Sequence, residues 1–126
     1  MESPTISTVF GAFRGDTWNE GEITIAQRTR IYKEASVTAG GIGTTKVGQH
    51  YKTIICDDLN SPDNTNTIEN AEKVLNYFRY LISILEPEGT LIVIGTRYSE
   101  NDVIGYLLKN ELKVDDEPVT GIYEVA

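Results

Sequence analysis

Asp57 and Asp58 are the residues whose type and place point most directly to chemistry. They close the stretch Tyr51-Lys52-Thr53-Ile54-Ile55-Cys56. Its β-branched run favours extended backbone and lacks the polar alternation of a half-exposed strand, so it reads as a buried strand. Acids at the carboxyl end of such a strand stand where open α/β sheets bind their ligands. Apolar residues followed by acids are also the pattern of a Walker B strand, in which one acid serves Mg²⁺ and the next activates water. The competing reading is a turn or a helix cap, the commoner role of aspartate after a strand.

A second buried strand, Thr90-Leu91-Ile92-Val93-Ile94, runs into Gly95-Thr96-Arg97. Between the two lies the strongest helical pattern of the chain. Ile68, Ala71, Val74, Leu75, Phe78, Leu81, Ile82 and Leu85 recur at helical spacing. Asn66 and Glu69 suggest a capping box at its start. Pro87 and Gly89 oppose its continuation. Another helix is expected from Ser99 to Asn110, capped by Ser99 with Asp102 three residues on and striped by Val103, Ile104, Leu107 and Leu108. Strand, helix, strand, helix describes a right-handed βαβ unit with parallel strands. Asp57-Asp58 and Thr96-Arg97 would then emerge at the same end of the sheet, which favours the functional reading of the acids.

The segments before this unit are weaker. Residues 1–21 read as a loop-rich arm, with Phe10, Phe13 and Trp18 available to pin it to a core. Glu22–Gln27 and Ser36–Ala39 suggest a β-hairpin. Gly40-Gly41-Ile42-Gly43-Thr44-Thr45-Lys46 invites a phosphate-loop reading but fails on spacing. Thr45 precedes Lys46 and Val47 follows it, whereas a phosphate loop needs Gly-Lys and then a hydroxyl residue. Asn60–Asn66 reads as loop. Ile122, Tyr123 and Val125 suggest a last short strand.

The totals bound the remaining possibilities. A chain of 126 residues, 40% apolar and 24% charged, is globular and long enough for one small domain. A net charge of −8 repels nucleic acid over most of the surface. Arg28, Arg30 and Lys33 form the only tight basic stretch and read as solvated turn residues. Cys56 is the single cysteine and His50 the single histidine, so an internal disulfide is excluded and a zinc site disfavoured. No signal peptide or membrane-length apolar run is evident. The expectation is a soluble, cytosolic α/β protein. Its mostly parallel partial sheet carries flanking helices, follows a β-hairpin, and forms one unit over 1–126.

Several of these stretches together resemble the large terminase subunit of tailed bacteriophages. They are Gly48-Gln49-His50-Tyr51, the strand with Asp57-Asp58-Leu59, the long helix, and Leu85-Glu86-Pro87-Glu88-Gly89-Thr90. Above all there is Ile92-Val93-Ile94-Gly95-Thr96-Arg97-Tyr98-Ser99-Glu100-Asn101-Asp102-Val103-Ile104-Gly105. The resemblance runs from about Phe10 to the end of the chain. It implies a P-loop-NTPase-like sheet from the second half of an ATPase domain that packages viral DNA into a procapsid. It further implies that Asp57 holds Mg²⁺, that Asp58 orients or deprotonates the attacking water, and that Thr96 and Arg97 couple the state of the γ-phosphate to movement. ATP would be the cofactor. The remainder of the large subunit, the small subunit, the portal and double-stranded DNA would be partners, in the cytoplasm of an infected or lysogenic bacterium. Asp102 and Gly105 fit the same pattern and also have plain roles, as helix start and close-packing residue.

The chain departs from that family in ways that matter. The family pattern would put a Walker A loop before the acids and a nuclease domain after them, and the expectation is that these 126 residues carry neither. No arginine finger can be assigned near Lys46 and Lys52. Asp58 stands where many relatives carry Glu; one methylene less misplaces a water by roughly 1 Å, an error that can cost about 100-fold in rate. Without the Walker A strand, Thr90–Ile94 would expose an apolar edge, and self-association through it is expected. Two functions are therefore carried forward. One is the magnesium-binding and coupling part of a packaging ATPase, largely inactive by itself. The other is a non-catalytic prophage remnant that binds terminase or procapsid components. A free-standing metal-dependent phosphohydrolase is disfavoured, because further metal ligands are missing.

Overall fold

The computed structural model describes Pro4, Thr8 and residues 11–29, 33–44, 48–109, 113–114 and 117–118. It is a mixed α/β fold. An antiparallel three-stranded sheet and a parallel two-stranded sheet are accompanied by three helices in the second half of the chain. The chain divides into two compact units, Met1–His50 and Tyr51–Ala126.

The first unit is a small antiparallel sheet in the order β1 (Arg14–Trp18), β2 (Glu22–Ile25), β3 (Val37–Thr38). The expected hairpin is present as β2 against β3, with Ile23 opposite Val37. The expected loop-rich arm is corrected: Arg14–Trp18 forms a strand against β2. Two features explain it. Thr17 and Trp18 favour extended backbone. A Cβ on Gly15 would lie only 2.6 Å from the Thr24 carbonyl oxygen, so glycine there admits close backbone approach. Asn19 closes the β1–β2 turn by accepting from the N–H groups of Gly21 and Glu22. Arg28 donates to the Glu34 carbonyl within the β2–β3 connection. Phe10 and Arg30 lie outside the described residues.

The second unit is built on β4 (Tyr51–Asp57) and β5 (Leu85–Ile94), which pair in parallel as expected. Between them run α1 (Pro62–Thr65) and α2 (Ile68–Ser83). Helix α2 buries Ala71, Val74 and Phe78, and the latter two join Ile54, Cys56, Ile84 and Val103 in one core cluster. Helix α3 (Val103–Lys109) follows β5 and contributes Val103. The Arg79 guanidinium lies 5.3 Å from the centroid of the Tyr106 ring and ties α2 to α3 by a cation–π contact.

Several expectations change in detail. The two strands are not buried on both faces. Ile54 and Cys56 are covered, whereas Ile55 is 62% exposed and its cross-strand partner Ile92 39% exposed. Helix α2 covers one face, and side-chain alternation leaves the other open among the described residues. Among the described residues the parallel sheet has two strands, so the larger sheet is the antiparallel one rather than a mostly parallel assembly. Asn60–Asn66 is not all loop, because Ser61 and Asn64 form a capping box that starts α1, with Pro62 at its first position. Thr67, not Asn66, caps α2, accepting from the Asn70 N–H. Asn66 instead accepts from the Asn70 side chain. Glu86–Gly89 is not a plain break between elements. It is an irregularity within β5: Tyr51 pairs with Leu85, yet Thr53 pairs with Thr90. Glu88 takes a left-handed φ of 61° there.

The glycine-rich segment forms a turn in which the Thr44 N–H donates to the Gly41 carbonyl and Gly43 has φ 88°. Short strand pairing also occurs at Lys113–Val114 with Glu117–Pro118. The strand expected from Ile122, Tyr123 and Val125 lies outside the described residues. No helix among the described residues is long and apolar enough to cross a membrane.

Candidate functional site at the end of the parallel strands

Parallel pairing sets the geometry of the site. Asp57 stands opposite Ile94 at the last rung of the ladder. The Asp58 N–H extends the pairing by donating to the Ile94 carbonyl at 3.0 Å. A Cβ on Gly95 would lie 3.6 Å from Asp58 Oδ1, so the end of β5 lies beside the second acid. The acids and the start of Gly95-Thr96-Arg97 therefore share one end of the strand pair. Asp57, Asp58, Thr96 and Arg97 are all exposed. The Arg97 Nε donates to the Ser99 carbonyl at 3.4 Å.

Asp58 bends the chain. Its φ of 48° is left-handed, a conformation that Asp tolerates better than most side chains. Beyond it the backbone turns inward. Leu59 packs on the core, and Asn60 is 4% exposed. Asn64 Nδ2 donates to the Leu59 carbonyl at 2.9 Å and fixes the turn from the other side.

The loop after β5 has its own anchor. Asp102 is 1% exposed and accepts three backbone N–H groups. Its Oδ2 takes those of Tyr98 and Ser99 at 2.7 and 2.9 Å, and its Oδ1 takes that of Gly105 at 2.7 Å. Asp102 thus caps α3, so Ser99 is corrected as the expected cap and the helix begins at Val103. Gly105 is required by packing, since a Cβ would come within 2.5 Å of the Glu100 carbonyl oxygen. Nearby, Lys109 donates to Glu100 at 3.0 Å and holds that carboxyl below its ordinary range, with the Lys109 charge assisting.

Sequence reasoning missed Asn60. Its Oδ1 accepts the N–H of Val103, 43 positions along the chain, at 3.4 Å. An asparagine in a polar segment carries no sign of such a contact, because its neighbours there are equally polar. Cys56 lies on the covered face directly before the acids. Burial pushes its thiol up to about 11, which marks it as a packing residue rather than a nucleophile.

The donor set limits what the site can hold. Magnesium takes one or two carboxylates and completes its octahedron with water and phosphate oxygens. Asp57 and Asp58 supply two exposed carboxylates at the end of β4. No group of three or more His, Cys, Asp or Glu that could hold a metal occurs among the described residues. Compared with models of protein families, with curated proteins and with solved structures, the chain matches none.

Proposed function

We propose that this chain is the magnesium-binding and coupling part of a P-loop-type ATPase, as in the large terminase subunit that drives viral DNA into a procapsid. One observation carries the reading: two adjacent carboxylates stand at the end of a parallel strand, the second of them beside Gly95, where the Gly95-Thr96-Arg97 segment leaves the neighbouring strand. In such an ATPase the strand-end acids hold Mg²⁺ and orient water, and an adjacent strand end senses the phosphate. Asp57 takes the ion, in part through water. Asp58 orients the attacking water. Thr96 and Arg97 respond to the γ-phosphate. The triphosphate itself needs a Gly-rich cradle and its lysine, which come from another segment, and the further partners are the small subunit, the portal and double-stranded DNA. The chain alone is therefore expected not to turn over ATP. The test is to supply an ATPase segment bearing a phosphate loop, in trans or by fusion. Mg²⁺-dependent hydrolysis should appear and fall at least 100-fold with Asp58→Asn, a loss on the scale of a general-base contribution. Turnover by the isolated chain that vanished in Asp58→Ala would overturn the dependence on a second segment.

The exposure of Ile55, Ile92 and Ile94 on one side of the strand pair favours a second reading. In it the chain is a non-catalytic prophage protein that docks on terminase or procapsid components. Pull-down of an intact large subunit, with no hydrolysis restored by a phosphate-loop segment, would select this reading over the first.

A further inference from the structure

Two buried polar side chains, Asn60 and Asp102, stand behind the exposed acids and take no part in the chemistry proposed above. Each joins segments that would otherwise be independent loops. Asn60 closes the turn after β4 and bonds to the first residue of α3. Asp102 gathers the N–H groups of Tyr98 and Ser99, the end of the stretch that begins at Gly95. At the strand ends, the Asp58 N–H to Ile94 carbonyl bond makes a further link. The two loops are therefore tied at both ends, once at the last rung of the ladder and once at the start of α3. An exposed carboxylate pair gains nothing from burial to fix its position, so its placement must come from such backbone anchors.

We propose that Asn60 and Asp102 are positioning residues, a brace that holds the Asp57–Asn60 turn and the Gly95–Asp102 loop in the one arrangement that receives a divalent cation. The proposal rests on the reading of Asp57 and Asp58 as the cation-binding pair. The brace works through geometry alone. Buried acceptors on each loop leave few alternatives, because a buried N–H left unpaired is costly. If Asn60 loses its acceptor, the hydrogen bonds that still hold the turn among the described residues are those at Asp58 and Leu59, and the acids sample a wider range of positions.

The test uses the full chain, ¹⁵N-labelled, and Mn²⁺ as the probe. In the native protein Mn²⁺ should broaden the amide signals of Asp57, Asp58 and Gly95. Asn60→Ala should leave the α2 amides protected, showing that the fold persists. It should speed exchange of the Val103 N–H about twofold, the loss of one long, weak hydrogen bond. It should also shift the Asp58 and Gly95 signals and weaken Mn²⁺ broadening there by about tenfold, a loss of the kind that follows removal of an outer-shell partner. Asp102→Asn, a milder change that retains one side-chain oxygen, should move the Tyr98, Ser99 and Gly95 signals in the same experiment. Unchanged Mn²⁺ broadening in both variants, with α2 intact, would overturn the brace and leave the acid-pair reading standing. Absence of broadening in the native chain would overturn the acid-pair reading, and the brace's role with it.

Discussion

Asp58 combines two demands in one residue: a carboxylate exposed at a strand end and a left-handed backbone. The left-handed region costs an ordinary side chain roughly 1–2 kcal/mol. Asp58→Val should therefore destabilise the second unit by about that amount in urea unfolding, whereas Asp58→Gly should be neutral or stabilising. Equal effects of the two substitutions would deny that backbone conformation matters at this position. Asp102 differs in kind, being buried and fully engaged. Asp102→Ala removes a cap and leaves N–H groups unpaired, for a loss of about 2–3 kcal/mol by the same assay. Cys56 sets a third expectation. Its ordinary value of 9.0 is raised to about 11 by burial. The folded state then keeps the thiol proton after the unfolded chain has released it. The thiol's contribution is intact below about pH 9 and is lost as pH rises from about 9 towards 11. Alkylation by iodoacetamide at pH 8 should be about 100-fold slower for folded than for urea-unfolded protein, in proportion to thiolate content. Equal rates would contradict the burial of this side chain.

At the scale of elements, α2 is what holds the strand pair in place. Phe78, on its inner face, is 0% exposed, and Phe78→Ala should cost about 3–5 kcal/mol, enough to unfold so small a unit. A folded variant with native thermal stability would contradict the packing described. This helix and the parallel pairing were legible in the sequence, because an apolar stripe of helical period and two β-branched runs leave few alternatives. Helix ends were less legible. Asn66, Thr67 and Ser99 are all capable caps, and tertiary contacts decide among capable caps. The strand β1 was hidden because Arg14-Gly15-Asp16 has no apolar alternation, and its pairing depends on what β2 offers. Strand exposure was misread for a related reason. Ile54 and Ile55 are chemically alike, and only the position of α2 makes one core and the other surface. Asn60 was invisible for the same cause, since its partner is distant in sequence.

At the scale of the whole molecule, the second unit presents a parallel sheet of two strands among the described residues. Among the described residues β5 is paired only with β4, and one face of the pair shows Ile55, Ile92 and Ile94. Unpaired edges beside apolar side chains favour association. Sedimentation at high micromolar concentration should detect dimers or larger species, and a strictly monomeric chain would count against the open edge. The functional proposal likewise calls for a second segment, because on that reading the acids ligate the ion while the phosphate cradle comes from elsewhere. The most direct measurement is therefore ATP hydrolysis after a phosphate-loop segment is joined to this chain. Magnesium-dependent turnover, reduced at least 100-fold by Asp58→Asn, is the predicted result. Turnover indifferent to Asp58, or none in the joined protein, would contradict it.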